Sequence, residues 1–172
     1  MSIFTSESVS DGHPDKVADQ ISDALVDAGL AAGDMTTRVA IETLVTTNMV
    51  TLAGEVKNFY LSPAEVKEIV RQKVREIGYE LPGFHWDKLK IYNEIHHQSA
   101  DIALGTDDFG AGDQGIMFGY ACNHTASYLP APIHYAHAIL RELRAQRGTI
   151  LGPDAKAQVS LEYNGNRQDG NV

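Results

Sequence analysis

Along residues 17–28, the apolar side chains Val17, Ile21, Leu25 and Ala28 recur at helical spacing and share one face. "HPDKVADQISDALVDAGLAAGD" therefore predicts a helix, with Pro14 in its first turn and Gly29 or Gly33 to end it. "RVAIETLVTTNMVTLAGEV" predicts two strands joined near Thr47–Asn48. "SPAEVKEIVRQKVREIG" predicts a second helix. Ser62 and Glu65 form a capping box, Pro63 opens the helix and Gly78 follows its end. "KLKIYNEIHHQ" and "GIMFGYACN" predict strands. Between them, a loop from about Ser99 to Gly112 carries three acids and three glycines. "APIHYAHAILRELRAQRG" predicts a third helix ended by Gly148. "KAQVSLEYNGN" predicts a strand entering an Asn-Gly hairpin turn.

Helix, strand and hairpin turn thus occur twice in order, and "RVAIET" is similar to "QVSLEY", an indication of an internal structural repeat. We expect a first α+β repeat over residues 1–100 and the start of a second over 101–172. The Asn164–Gly165 turn asks for a return strand, but only the polar "NRQDGNV" follows. A strand without its hairpin partner exposes an unpaired edge. The expectation is that the second repeat is truncated and that the chain is the front part of a longer protein.

The 172 residues, 43% of them hydrophobic, suffice for one domain or two small ones. No apolar run reaches the ~18 residues of a membrane span, and "MSIFTSESVSDGHPDK" is not a signal peptide. A cytoplasmic protein without a membrane partner is expected. The lone Cys122 excludes an intrachain disulfide and a multi-cysteine zinc site. A net charge of −9 argues against a nucleic-acid surface. It leaves room for a nucleotide whose phosphates carboxylates hold through Mg²⁺.

The candidate chemistry begins in "SDGHPDK". His13, Asp15 and Lys16 open a helix, where free N–H groups and the dipole favour phosphate. The bland reading is a capped helix with a solvated first turn. Glu42 and Glu55 sit in or near apolar strands, where a buried carboxylate needs a partner, a metal or a task; the alternative is the solvated face of a half-exposed sheet. Gln98 and Asp101 border the acidic loop, and "PDAK" sets Asp154 and Lys156 ahead of a strand, as a simple turn also would. His96 and His97 point to opposite faces of a strand. His134 and His137 lack the Glu of an H-E-x-x-H motif, and Cys122 lies in an apolar, inert setting. "GAGDQG", residues 110–115, satisfies G-x-G-x-x-G. It follows a polar turn and precedes an apolar, β-leaning segment, with no acidic residue at the expected distance. That context disfavours a Rossmann site.

"FTSESVSDGHPDKVADQISDA", "GEV", "QSADIA", "GAGDQGIMFGYA", "PAPIHYAH" and "PDAKAQV" occur in an order and spacing that resemble the S-adenosylmethionine synthetases (methionine adenosyltransferases) over nearly the whole chain. The resemblance implies an α+β fold of structurally repeated β-α-β units with helices packed on sheets. It implies formation of S-adenosylmethionine from ATP and L-methionine: sulfur attacks C5′ of ATP, and the triphosphate leaves and is hydrolysed. By the same resemblance His13 would contact the triphosphate, supported by Lys16, with Asp15 ligating Mg²⁺ and Glu42 binding K⁺. Glu55 and Gln98 would contact methionine; Asp113, Asp154 and Lys156 would contact ATP. The loop from Gln98 would gate the site, and a homodimer or higher homo-oligomer would complete it.

The sequence also departs from the family pattern. The gate between Gln98 and Gly110 is short, "GTILG" precedes "PDAK" in place of a longer stretch, and Asn48 stands where glycine is frequent. The later phosphate-binding motifs are absent, so this chain alone is expected to be inactive. The alternative is a short, non-catalytic nucleotide-binding paralogue or regulatory partner of a full-length synthetase.

Overall fold

The computed structural model describes residues 2–98, 115–148 and 150–164. In chain order the elements are β1 (Ser2–Val9), α1 (Pro14–Ala32), β2 (Arg38–Thr46), β3 (Met49–Lys57), α2 (Pro63–Ile77), β4 (Glu80–Leu81), β5 (Phe84–His85), β6 (Lys90–His97), α3 (Ala131–Ala145) and β7 (Lys156–Tyr163). The fold is α+β. The chain forms two compact units, Pro14–Ile116 and Met1–His13 with Met117–Val172.

The unit of residues 14–116 is a three-stranded sheet, β2-β3-β6, under two helices. β2 and β3 form an antiparallel hairpin, and β6 runs parallel to β3. Asn48 makes the β2–β3 turn with φ +51°. The left-handed conformation explains a glycine preference there, and asparagine is among the side chains that tolerate it. The apolar stripe of α1 is buried at Val17, Ile21 and Leu25. It meets Val66, Val70 and Val74 of α2 and Ile41, Val50, Leu52 and Val56 of the sheet. Each such side chain contributes roughly 1.5–3 kcal/mol on full burial, so this stripe is the main source of the unit's stability. The capping box is present: Glu65 N–H donates to Ser62 Oγ, and Ser62 N–H donates to Glu65 Oε2 at 2.8 Å. Gly78 closes α2 at φ +99°, a left-handed cap.

In the other unit β1 pairs antiparallel with β7 along its whole length, from Ser2↔Tyr163 to Val9↔Lys156. α3 packs on both strands, burying Ala136 and Leu140 against Ala157. Three expectations change here. β1 is an element that hydrophobic periodicity did not flag, because "SIFTSESV" is mostly polar and needs β7 to become a strand. Residues 115–122 form no strand. Ile116, Met117 and Phe118 are 79–89% exposed, and an apolar run is not a strand without a pairing edge. α3 ends at Ala145 with Gln146 as its cap, short of Gly148, which instead takes φ +82° in the following turn. Of the Asn164–Gly165 turn, Gly165 lies outside the described residues, as do the gate loop and Asp113.

Candidate functional site

The segment ahead of α1 is tied to the segment ahead of β7 by one serine. Ser10 is 6% exposed and uses every polar group it has. Its N–H donates to Ala155 O at 2.9 Å, and its Oγ donates to Pro153 O at 2.7 Å. The same Oγ accepts from Ala155 N–H at 2.8 Å, and its carbonyl accepts from His13 N–H at 3.1 Å. Gly12 lies flat against Pro153, where an added Cβ would fall on the proline backbone. Arg147 completes the clamp. It grips the Asp11 carboxylate with both terminal nitrogens and donates to Pro153 O at 3.0 Å. Partial burial pushes the Asp11 carboxyl up, but its bonds to Arg147 and the charges of Arg147 and Arg144 outweigh that and hold it below its ordinary value.

This clamp gathers three of the predicted residues. His13 is half-buried at its edge. Asp154 is exposed between the two residues that Ser10 holds, and Lys156 is exposed at the first position of β7, 3.1 Å from Glu7. The clamping residues Ser10, Asp11, Gly12, Arg147 and Pro153 are ones that sequence reasoning missed. The available signal was the "SDG" immediately ahead of "HPDK".

The unit of residues 14–116 holds another group. Asp15 and Lys16 lie exposed in the first turn of α1, with Lys16 Nζ 3.0 Å from Asp19. Glu42 and Glu55 share one face of the sheet, and Gln98 follows the end of β6. Glu42 stands opposite Ala53, and Glu55 opposite Ala40 and His96. The two glutamates are therefore diagonal neighbours, at the ~7–8 Å typical of that relation. They occupy the face away from the helices: Glu42 is exposed and Glu55 half-buried. Gln98 N–H donates to Val56 O at 2.8 Å, which fixes it beside Glu55. Its Oε1 is buried with no hydrogen-bond partner among the described residues.

The donor set suits hard cations. Asp15 and Glu42 present carboxylate oxygens, the ligands Mg²⁺ and other hard cations prefer. Among the described residues no group of three or more His, Cys, Asp or Glu is placed to hold a metal by itself. A carboxylate on its own binds such a cation together with phosphate oxygens or water. His134 and His137 are spoken for by hydroxyls: Ser127 Oγ at 2.9 Å from one and Ser8 Oγ at 2.6 Å from the other. No helix among the described residues is long and apolar enough to cross a membrane.

Comparison with known proteins gives a consistent result. The family described as "S-adenosylmethionine synthetase, N-terminal domain" matches residues 1–100, and "S-adenosylmethionine synthetase, central domain" matches residues 108–172. An S-adenosylmethionine synthase of Paramagnetospirillum magneticum is 57% identical over 171 residues, covering 94% of this chain and 44% of that protein. S-adenosylmethionine synthase 2 of Rhodospirillum rubrum is 56% identical over 170 residues, covering 94% and 43%. The solved structure of an unusual S-adenosylmethionine synthetase from Campylobacter jejuni superposes with a TM-score of 0.84 at 38% identity, covering 98% of this chain and 44% of that one. The chain thus spans less than half the length of the relatives it matches.

Proposed function

Because the chain belongs to the S-adenosylmethionine synthetase family, we propose that it supplies the triphosphate-facing and methionine-facing residues of a methionine adenosyltransferase. The observation that carries this reading is the Ser10 clamp, which joins "SDGHPDK" to "PDAK" and brings His13, Asp154 and Lys156 onto one unit. The full activity belongs to a polypeptide that also contains the remainder of the family's length.

The chemistry asked of these residues is modest in kind. A thioether sulfur is already a nucleophile and needs no general base. The rate then comes from alignment of sulfur with C5′ and from stabilising the charge of the departing triphosphate. His13 donates to that leaving group, and Lys16 adds positive charge at the helix start. Asp154 and Lys156, with Asp113, bind ATP; engaging ATP frees Lys156 from its exposed contact with Glu7, which is worth little in solvent. Glu55 receives the methionine ammonium, and Gln98 offers its amide oxygen, which has no partner among the described residues, to the same group. Asp15 would hold Mg²⁺, Glu42 would hold K⁺, and the ions supply counter-charge for the triphosphate. The outer face of β2-β3-β6 exposes Leu44 and Tyr92 beside Glu42 and Glu55. A second copy on that face would both cover it and complete the site, in keeping with a cytoplasmic homo-oligomer.

The test is S-adenosylmethionine formation by the gene's complete product from ATP and methionine with Mg²⁺ and K⁺, followed by mass spectrometry. Replacing His13 with asparagine is expected to lower kcat by about two to three orders of magnitude, the usual effect of removing a donor to a developing anion. Unchanged turnover in that variant would remove His13 from the mechanism. Absence of product from the unaltered protein would remove the reading itself.

A further inference from the structure

A cleft on the α3 side of the β1–β7 unit borders the Ser10 clamp but holds none of the residues assigned to ATP or methionine. It has a volume of about 230 Å³, and Ser8, Ser10, Asp11, His137, Arg141 and Arg144 line it. Ser8 and Ser10, 8% and 6% exposed, lie in its lining beside Val9 and Leu140, with their hydroxyls engaged by His137 and by the backbone of Pro153 and Ala155. Two arginines of α3, Arg141 and Arg144, line it, and Arg147, just beyond the helix, holds Asp11 from outside the lining. The single carboxylate in the lining, Asp11, is already gripped by both terminal nitrogens of Arg147. Arg144 reaches it only at 3.4 Å, with 66% of its side chain exposed. Arg141 has no hydrogen bond or ion pair among the described residues. In a chain of net charge −9, the two lining guanidiniums outnumber the one lining carboxylate, itself already paired with Arg147, and make the cleft locally positive.

We propose that this cleft is an oxyanion site, taking inorganic phosphate or the phosphate end of a small phosphomonoester. Guanidinium groups bind such oxygens in fork geometry. Arg141 supplies an uncommitted fork, and Arg144 supplies one that exchanges a long contact with Asp11 for a short one with the anion. The cleft is larger than a bare phosphate requires, which leaves room for the first atoms of an ester substituent. The inference does not depend on the proposed reaction, because Arg141 and Arg144 have no role in it.

The test is calorimetric titration of the gene's complete product, at low ionic strength and near neutral pH, with inorganic phosphate in one arm and glycerol phosphate in the other. Saturable one-to-one binding in either arm is expected, and the tighter arm identifies the source. Arg141→Glu is expected to weaken it by at least about tenfold, as loss of one charge-assisted contact implies. Lys67→Glu, a charge-matched change at an exposed position of α2, is expected to leave it unchanged. So is Lys156→Ala, which separates this cleft from the nucleotide contacts. Linear, non-saturable heats would overturn the proposal. So would equal weakening in Arg141→Glu and Lys67→Glu, binding retained in Arg141→Glu, or binding lost in Lys156→Ala.

Discussion

At the scale of single residues, the arrangement depends on a few small or polar groups rather than on the residues with obvious chemistry. Gly12 is the sharpest case, since any Cβ there collides with Pro153. Gly12→Ala is expected to destabilise the unit by about 1–3 kcal/mol, the usual cost of overpacking, and to lower turnover as the two segments part. Thermal melts and steady-state rates of the variant check both effects. Asp11 adds a pH dependence. Its carboxyl is held below the ordinary value of 3.8 in the folded chain, so its stabilising contribution is complete above about pH 4 and is lost as the pH falls through the folded-state value. Asp11→Asn is expected to flatten the decline of melting temperature between pH 5 and 3 relative to the parent. A decline of equal slope would dissociate that carboxyl from acid stability. None of this was legible one residue at a time. His13, Asp15 and Lys16 stand out by type, but Ser10, Gly12 and Pro153 act through contacts between segments more than a hundred residues apart.

At the scale of elements, legibility followed whether an element carries its own instructions. α2 does: Ser62, Pro63 and Glu65 start it, Gly78 ends it, and the period of Val66, Val70 and Val74 orients it. Ser62→Ala is expected to cost about 0.5–2 kcal/mol through loss of the cap, measured by urea denaturation at constant m. The β2–β3 hairpin is similarly self-described by its turn. β1 is not, because its mostly polar sequence becomes a strand only when β7 offers an edge. "GIMFGYACN" fails in the opposite direction: it has strand-like residues without an edge to pair with. Periodicity records a side chain's preference for burial but not whether a partner strand exists.

At the scale of the molecule, two family domains match this chain, while its relatives extend well over twice as far. The residues proposed for ATP and methionine are divided between two compact units, and the relatives carry more than half of their length outside the matched portion. The 172-residue chain alone is therefore expected to form no S-adenosylmethionine. A mass-spectrometric assay of the purified chain with ATP, methionine, Mg²⁺ and K⁺ checks this, and product in that assay would mean that the essential groups are all within these residues.

The pairing of β1 with β7 has a consequence in time. Thr5 and Ser160 share a hydrogen bond across 155 positions of sequence, so β1 is synthesised long before the strand it pairs with. At about 5–20 residues per second of synthesis, β1 waits roughly 8–30 s on the ribosome with its edge open. Residues 14–116 are contiguous and complete their own core meanwhile. Few large apolar groups and several hydroxyls in "SIFTSESV" are what a strand exposed for that long needs in order not to pair with the wrong neighbour.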